Sequence, residues 1–249
     1  MNVVDRFRAQ AAERPEAPAF IEGRGRRRRV TTFAEVEAAS ARGAARLRAS
    51  GLRPGDAVLV LVPLSARLYE VLASVFRAGL VAVVLDPGAG REQADRACAL
   101  RPPEAFVGTP KAHVLRALVP GIRTIPRRFV VGSWAPGAAR WERASGTLGV
   151  DPVGPEAPAL LTFTSGSTGQ PKAAVRTHGL LRAQHDAVAA ALGLAAGQVD
   201  LATLPIVVLA NLGSGVTTLL PDADLRRPGA IDARRVLAQI RAERPTRST

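Results

Sequence analysis

Short apolar runs that alternate with longer amphipathic segments constrain the fold of this chain more than any other feature of its sequence. Residues 57–62 and 81–85 are continuously apolar and rich in valine, a pattern typical of strands that are buried on both faces. Residues 65–78, between these runs, carry a helical pattern and are followed by Gly79, a residue type that often ends helices. A strand, a helix and a strand in this order predict parallel pairing. We therefore expect an α/β fold with mostly parallel sheets flanked by helices.

The same alternation continues along the rest of the 249 residues. We divide the chain into a first α/β half over 1–131, a connection rich in proline and glycine over 132–158, and a second α/β half over 159–249. Periodicity and turn residues predict further helices over 33–50, 91–100, 111–118, 178–192, 208–211 and 233–242, and strand-like runs near 104–107, 159–163, 173–176, 201–204 and 216–220. We expect the strand at 216–220 to lie at a sheet edge and to leave apolar surface exposed. The alternation also leads us to expect one more strand after the helix at 233–242.

The chain is strongly basic, with a formal net charge of +13 at pH 7. Only two of its 34 basic residues, Lys111 and Lys172, are lysines, and the arginines are spread along the whole sequence. The one dense run, at 24–29, lies between two apolar segments and beside glycines. This predicts a solvated hairpin turn, with a phosphate-binding arm as the alternative. Because aromatic residues for base stacking are few, we expect no specific nucleic-acid partner.

Three features bear on the compartment of the protein. The longest apolar stretches are far shorter than the roughly 20 residues that cross a bilayer, so we expect no membrane span. The N-terminal residues lack the apolar region of a secretory signal. The single cysteine, Cys98, cannot form an internal disulfide and lies among alanine and leucine. We predict a cytoplasmic protein in which Cys98 is a small buried thiol and not a nucleophile.

The segment LLTFTSGSTGQPKAAV, at 160–175, is the most informative part of the sequence for function. Six consecutive small residues, four of them hydroxylic, lie between two strand-like runs, and Lys172 follows. Glycines let a backbone approach an anion closely, hydroxyl groups add donors, and a lysine adds a full positive charge. The spacing differs from that of a Walker loop. From the residues alone, a polyphosphate-binding loop over 164–172 is favoured, and a flexible polar hairpin turn is the alternative.

Three segments resemble signatures of the adenylate-forming superfamily, which includes acyl-CoA synthetases, nonribosomal-peptide adenylation domains and luciferases. TSGSTGQPKAAV resembles its phosphate-binding signature. TTFAEVEAASARGAARLRASGLRPGDAVLVLVP and FRAGLVAVVLDPG resemble two earlier signatures in the expected order, so the resemblance runs from about Thr31 to Pro221. The runs PEAFVGTPKAHV and LPIVVLANLGSGVTTLLPD look more like the fatty-acyl ligase branch that contains olefin β-lactone synthetases than like amino-acid activators.

The resemblance implies a two-step enzyme that uses ATP and Mg²⁺. A carboxylate, in this branch a fatty or hydroxy-fatty acid, attacks the α-phosphate of Mg-ATP and forms an acyl-adenylate and pyrophosphate. A thiol such as CoA, or another nucleophile, then takes the acyl group. Lys172 would neutralise charge as pyrophosphate leaves. The residues that would hold the β- and γ-phosphates are Thr164, Ser165, Gly166, Ser167, Thr168, Gly169 and Lys172.

The sequence also departs from the superfamily pattern. Many members carry a Phe-His pair after the Leu-Pro found here as Leu204 and Pro205, but this chain has Val207 and Val208 in that segment. The segments that bind adenine, magnesium and ribose in the superfamily, and the small C-terminal domain with its catalytic lysine, are not found within residues 1–249. We therefore expect a partial N-terminal domain that is inactive alone. The alternative is a non-catalytic remnant that binds polyphosphate weakly or not at all.

The histidines and Lys111 are weaker candidates. For His178, which follows Thr177 at the predicted start of a helix, we expect a structural role, and a phosphate contact through the positive helix terminus is the alternative. His185 lies seven residues further, with no third ligand nearby for a metal site. Lys111 and His113 lie at the start of another helix, and we predict both at the surface.

Overall fold

The computed structural model describes residues 2–85, 90–165, 171–225 and 227–249. Over these residues the chain has the predicted α/β fold, with mostly parallel sheets flanked by helices. Two compact units interleave along the sequence. The first contains Met1–Val3, Ala39–Pro63 and Glu70–Leu181, and the second contains Val4–Ala38, Leu64–Tyr69 and Arg182–Thr249.

The secondary-structure elements agree closely with the sequence-based expectation where the pattern was strongest. The helices described are α1 Val4–Glu13, α2 Phe33–Ala49, α3 Ala66–Arg77, α4 Arg91–Leu100, α5 Pro110–Leu118, α6 Pro120–Arg123, α7 His178–Leu192, α8 Pro205–Ser214 and α9 Ala233–Glu243. The strands described are β1 Pro18–Glu22, β2 Arg29–Thr32, β3 Ala57–Leu61, β4 Val81–Val84, β5 Ala105–Gly108, β6 Arg127–Val130, β7 Ala139–Arg140, β8 Pro158–Ser165, β9 Pro171–Thr177, β10 Val199–Leu201, β11 Thr217–Leu219 and β12 Arg247–Ser248. Helices α4 and α7 have the predicted bounds. The Asp232 side chain caps α9 by accepting a hydrogen bond from Arg234 N.

The first unit is built on a seven-stranded sheet with the order β7-β6-β5-β3-β4-β8-β9. Its neighbouring strands are parallel except for β8 and β9. The valine-rich central strands are almost wholly buried, and helices α4 and α6 contribute to the same core cluster. Cys98 on α4 lies in that cluster beside residues such as Val83 and Phe106, which confirms the predicted buried thiol.

The second unit is built on a five-stranded sheet with the order β12-β10-β11-β1-β2. Strand β11 pairs in parallel with β10 on one side and with β1 on the other, and its residues are buried. The prediction that this strand lies at an exposed edge is therefore wrong, because β1 from the beginning of the chain covers that side. Strand β12 pairs with β10 and supplies the strand expected after helix α9.

The two units differ from the predicted consecutive division at residues 131 and 159. Strand β8 pairs with β4, so the beginning of the predicted second half joins the sheet of the first half. Strands β1 and β2, close to the N-terminus, belong instead to the sheet of β10 and β11. These pairings are made by backbone hydrogen bonds between segments far apart in the chain, which local periodicity does not report.

A buried carboxylate organises the polar interior of the second unit. Asp200 on β10 is fully buried, and its Oδ2 accepts hydrogen bonds from Asn211 Nδ2 at 2.9 Å and Thr249 Oγ1 at 2.8 Å. Arg247 Nε lies 3.7 Å from the other carboxylate oxygen. A buried charge is costly unless it is paired and hydrogen bonded, so these contacts link β10, α8 and β12 in one network.

Gly43 on helix α2 lies close to Ser74 on helix α3 and to Trp141. A Cβ atom added at Gly43 would lie 2.5 Å from Trp141 Cζ2 and would also overlap Ser74 Oγ. Ser74 and Trp141 are both buried, so neither can move into solvent. We infer that glycine is needed at this position for space, since an interior packed at this density does not accommodate extra carbon atoms.

We predict that Gly43→Val lowers the free energy of unfolding by about 1–3 kcal/mol, the usual cost of overpacking a core. Chemical denaturation followed by circular dichroism measures the loss. The matched control is Gly149→Val, because a Cβ at Gly149 would meet no atom within 4 Å. Equal stability of the two variants would contradict the steric explanation.

Candidate functional site

The predicted phosphate loop belongs to a hairpin formed by β8 and β9. The two strands are antiparallel, with Thr164 opposite Lys172 and Ser165 opposite Pro171. The loop predicted over 164–172 is therefore too long, because strand pairing extends into both of its ends. The connection itself, residues 166–170, lies outside the described residues.

The connection of this hairpin follows the carboxyl end of β8, and β8 also pairs in parallel with a neighbour in the sheet. Strand β8 pairs with β4, with Val84 opposite Thr162. Neighbouring parallel strands end at the same edge of a sheet, so segments 86–89 and 166–170, both outside the described residues, follow in the chain from adjacent strand ends. In open α/β sheets, ligands bind outside the carboxyl ends of the strands. We therefore take this edge of the seven-stranded sheet as the candidate site.

The structure describes the backbone of three of the predicted site residues. Thr164 and Ser165 are the last residues of β8, and Lys172 is the second residue of β9. Pairing between the strands brings Thr164 and Lys172 together at the candidate edge. The other predicted phosphate-binding residues lie outside the described residues, and their role stays a prediction: Gly166, Ser167, Thr168 and Gly169.

Two sets of contacts support the hairpin below the candidate edge. Leu161 and Phe163 on β8 are buried in the core cluster that also holds α4 and α6. On β9, Arg176 Nη1 donates a 2.7 Å hydrogen bond to Thr162 Oγ1 across the two strands. Arg176 lies outside the residues predicted for the site. The signal that could have found it is its position on a short strand that must pair with Thr162 and its neighbours.

This arrangement is suited to binding an anion. Strands β8 and β9 are paired on both sides of the glycine-rich segment, with Ser165 opposite Pro171. Phosphate oxygens accept hydrogen bonds from backbone N–H groups, hydroxyl groups and lysine, and the sequence over 164–172 contains these residue types. The carboxyl edge therefore combines the residue types that a polyphosphate requires.

His178 has the structural role that the sequence analysis expected. The residue is fully buried, and its Nδ1 accepts a 3.2 Å hydrogen bond from Val3 N–H. The Phe76 ring meets the imidazole edge-on, with 6.2 Å between the ring centroids. A fully buried ring with these contacts is not accessible to a nucleotide phosphate.

Lys111 is exposed as predicted, but the surface prediction for His113 is wrong. Thr109 caps α5 by accepting a hydrogen bond from Ala112 N, and this start turns His113 towards the sheet. His113 Nε2 donates to Phe129 O at 3.0 Å, and its ring centroid lies 4.6 Å from that of Phe106. Burial lowers the pKa of His113, and the positive charges of nearby arginines lower it further.

Burial also decides the ionisation of the other candidate side chains. It raises the pKa of Cys98 to about 11, with Asp95 adding to the effect, so the thiol is protonated at neutral pH. It lowers the pKa of His185, next to Arg6. Within the part of the chain that the structure describes, no group of three or more His, Cys, Asp or Glu side chains could hold a metal ion. None of the helices described there is long and apolar enough to cross a membrane.

Comparison with known proteins assigns the chain to a family. The sequence profile described as AMP-binding enzyme matches residues 7–247. The chain belongs to this family. Among its relatives, the chain is 32% identical over 206 residues to olefin beta-lactone synthetase of Stenotrophomonas maltophilia, a match that covers 80% of this chain and 37% of the relative. It is 35% identical over 217 residues to feruloyl-CoA synthase of an Amycolatopsis species, covering 86% and 42% respectively.

Solved structures of the same architecture agree with this assignment. The apo structure of Mycobacterium smegmatis MbtA superposes with a TM-score of 0.82 at 27% identity, over 100% of this chain and 47% of that protein. A Mycobacterium tuberculosis fatty acyl CoA synthetase superposes with a TM-score of 0.79 at 20% identity, over 99% and 48%, and this second likeness concerns the fold alone. The chain spans well under half the length of the curated relatives it matches.

We predict that His113 makes folding stability depend on pH. Its pKa in the folded chain is below the ordinary value of 6.5, so the unfolded chain binds the proton more tightly. The stability contributed by the neutral ring is complete above pH 6.5 and is lost as the pH falls towards the folded pKa. Urea denaturation between neutral and mildly acidic pH should show this loss, and His113→Gln should reduce it.

The same measurement on His185→Gln separates the contributions of the two histidines, because burial lowers the pKa of His185 too. Each single variant should flatten part of the pH dependence, and the double variant should flatten more of it. An unchanged slope in His113→Gln would contradict a lowered pKa of His113 in the folded chain.

Proposed function

We propose that this chain carries the phosphate-binding part of an enzyme that activates a carboxylic acid with ATP, forming an acyl-adenylate and releasing pyrophosphate. Membership of the AMP-binding family, together with the pairing of Thr164 and Lys172 at the carboxyl edge of a parallel sheet, supports this proposal. Because the chain covers only 37% and 42% of two relatives, we propose the activity for the full-length protein.

In this proposal the hairpin acts by electrostatic stabilisation. The residues at 164–169 offer backbone and hydroxyl donors to the β- and γ-phosphates, and Lys172 offsets the negative charge that develops on pyrophosphate as it leaves. Preorganised donors of this kind contribute most where charge develops in the transition state. The paired strands β8 and β9 flank this segment on both sides.

Magnesium enters this proposal as part of the Mg-ATP substrate. The described residues contain no cluster that could hold a metal ion, so they do not fit a resident metal site. Mg²⁺ commonly keeps several waters and is bound through substrate phosphates. We assign no step to the ion.

For the substrate we propose a fatty or hydroxy-fatty acid, with a thiol such as CoA as the acyl acceptor, in the cytoplasm. The resemblance of the sequence to the fatty-acyl ligase branch supports the fatty-acid class, and similarity to feruloyl-CoA synthase supports the thiol acceptor. Val207 and Val208 are buried on α8. Because valine has no polar group, neither residue can take the place of the histidine found there in many members. The proposed activity therefore assigns no acid–base role to this helix.

A second candidate is a non-catalytic polypeptide that binds polyphosphate weakly or not at all. The share of the relatives' length that the chain spans favours this candidate for residues 1–249 alone. The resemblance implies that adenine and ribose contacts come from segments that these residues do not include. The two candidates differ in whether the full-length protein shows measurable carboxylate-dependent exchange.

We predict that Lys172→Ala and Gly166→Ala, each made in the full-length protein, lower carboxylate-dependent ATP–pyrophosphate exchange by at least about tenfold, equivalent to about 1.4 kcal/mol of transition-state stabilisation. The first change removes a charge, and the second adds a Cβ where the backbone would approach an anion. A panel of fatty, hydroxy-fatty, aromatic and amino acids identifies the carboxylate.

Matched controls are Lys111→Ala, which removes the only other lysine, and Gly149→Ala, where a Cβ meets no atom within 4 Å. Both controls should retain normal exchange. If Lys172→Ala and Gly166→Ala exchange pyrophosphate as fast as their controls, the phosphate role of the hairpin is wrong.

We also predict that a polypeptide of residues 1–249 shows no measurable exchange and binds Mg-ATP weakly in calorimetry. The reason is that the hairpin supplies donors for two phosphates only. Robust carboxylate-dependent exchange by this polypeptide would contradict the prediction and would show that the adenine and ribose contacts lie within these residues.

A further inference from the structure

A basic face in the second unit combines two segments that are far apart in the sequence. The segment 23–29, which forms the turn between β1 and β2 and includes the first residue of β2, contains five arginines, and all of them are exposed as predicted for a solvated turn. Helix α9 lies beside this turn and adds further arginines. We call these residues the arginine face: Arg24, Arg26, Arg27, Arg28, Arg29, Arg234, Arg235 and Arg241.

The turn is held against α9 by a buried glutamine. Gln239 is fully buried, and its Nε2 donates to Gly23 O at 3.1 Å and to Leu220 O at 2.9 Å. Its Oε1 accepts a 2.9 Å hydrogen bond from Asp222 N. Both polar atoms of the amide are thus hydrogen bonded. These bonds join the turn, the end of β11 and α9, and so give the arginine face a defined geometry.

Two acidic side chains strengthen the same junction. Arg28 makes a bidentate pair with Glu243, with nitrogen–oxygen distances of 2.6 and 3.0 Å. Asp222 lies between Arg24 and Arg235 and accepts hydrogen bonds from both. These pairs use three arginines of the face to position the turn.

The other five arginines of the face take no part in these pairs. Within the described part of the chain, no acidic partner pairs with Arg26, Arg27 or Arg29 of the turn, nor with Arg234 or Arg241 of α9. All five are exposed. The face therefore presents an uncompensated positive charge to solvent.

Apolar side chains project among these charges. On α9, Val236 and Ile240 pack on the core cluster of the second sheet, which directs Arg234, Leu237 and Arg241 outwards on the opposite face. Leu237 is 50% exposed, and Ile231, just before the helix, is 36% exposed. The outer face of α9 is thus both basic and partly aliphatic.

We propose that the arginine face docks on the surface of an anionic phospholipid bilayer. Such a surface presents many phosphate groups in one plane, with acyl chains just beneath them that can take up Leu237 and Ile231. Clusters of arginine beside an amphipathic helix bind anionic headgroups in this way. Nucleic acid fits less well, because the exposed large apolar residues of the described part of the second unit are aliphatic and offer no ring for base stacking.

The test is co-sedimentation of the protein with phosphatidylcholine vesicles that contain about 30 mol% phosphatidylglycerol, at moderate salt. The variant Arg26→Gln/Arg27→Gln/Arg29→Gln should bind on the order of a hundredfold more weakly, at about fivefold per arginine. The matched control Arg53→Gln/Arg91→Gln/Arg123→Gln removes the same charge from exposed positions in the first unit and should bind like the wild type. Leu237→Gln should weaken binding without changing the charge.

Three results would overturn the proposal. Equal losses in the two triple variants would show that binding follows total charge and not this face. No effect of Leu237→Gln, together with equally tight binding to duplex DNA, would identify a general polyanion site. Absence of binding to the anionic vesicles would refute it directly. The outcome is independent of adenylation, because pyrophosphate exchange is measured without vesicles.

Discussion

Parallel pairing between β4 and β8 is the contact on which the candidate site depends. It joins two strands that are separated in the chain by three helices and three further strands, and it aligns their carboxyl ends at one sheet edge. In the chain, residues 166–170 of the phosphate-binding signature follow the end of β8, and residues 86–89 follow the end of β4. Burial of Leu161 and Phe163 on β8 secures the pairing, since their transfer from water favours the sheet that covers them. The position of the proposed phosphate site is therefore a consequence of core packing.

In the second sheet, hydrogen bonds to buried polar groups help to select the arrangement of the strands. Asp200 and Gln239 are fully buried, and the hydrogen bonds to each side chain come from segments distant in sequence. Leaving such a group without its partners costs about 1–3 kcal/mol, so these networks select one arrangement of the strands over others with similar apolar burial. Gln239 has a further effect, because the same contacts that satisfy its amide also position the arginine turn beside α9.

The fold decides where the positive charge of this basic chain is concentrated. Arginines spread evenly along a sequence predict a diffuse positive charge. In the folded chain, Asp222 and Glu243 draw the turn and α9 together, and the arginines that these acids do not pair are left on one surface with Leu237. The proposed adenylation chemistry at one sheet and the proposed membrane contact in the other unit thus use different consequences of the same fold.

The sequence by itself determined the elements whose signals are local. Helices α4 and α7 begin and end where periodicity predicts, and the valine runs are buried strands. The phosphate-binding signature was likewise recognisable in the sequence. Only the tertiary structure decided that β11 is central, that β8 joins the first sheet, that His113 is buried, and that the turn at 24–29 meets α9. The reason is physical: periodicity and caps report interactions within one or two turns of chain, whereas strand order and burial depend on contacts between segments that are distant in sequence.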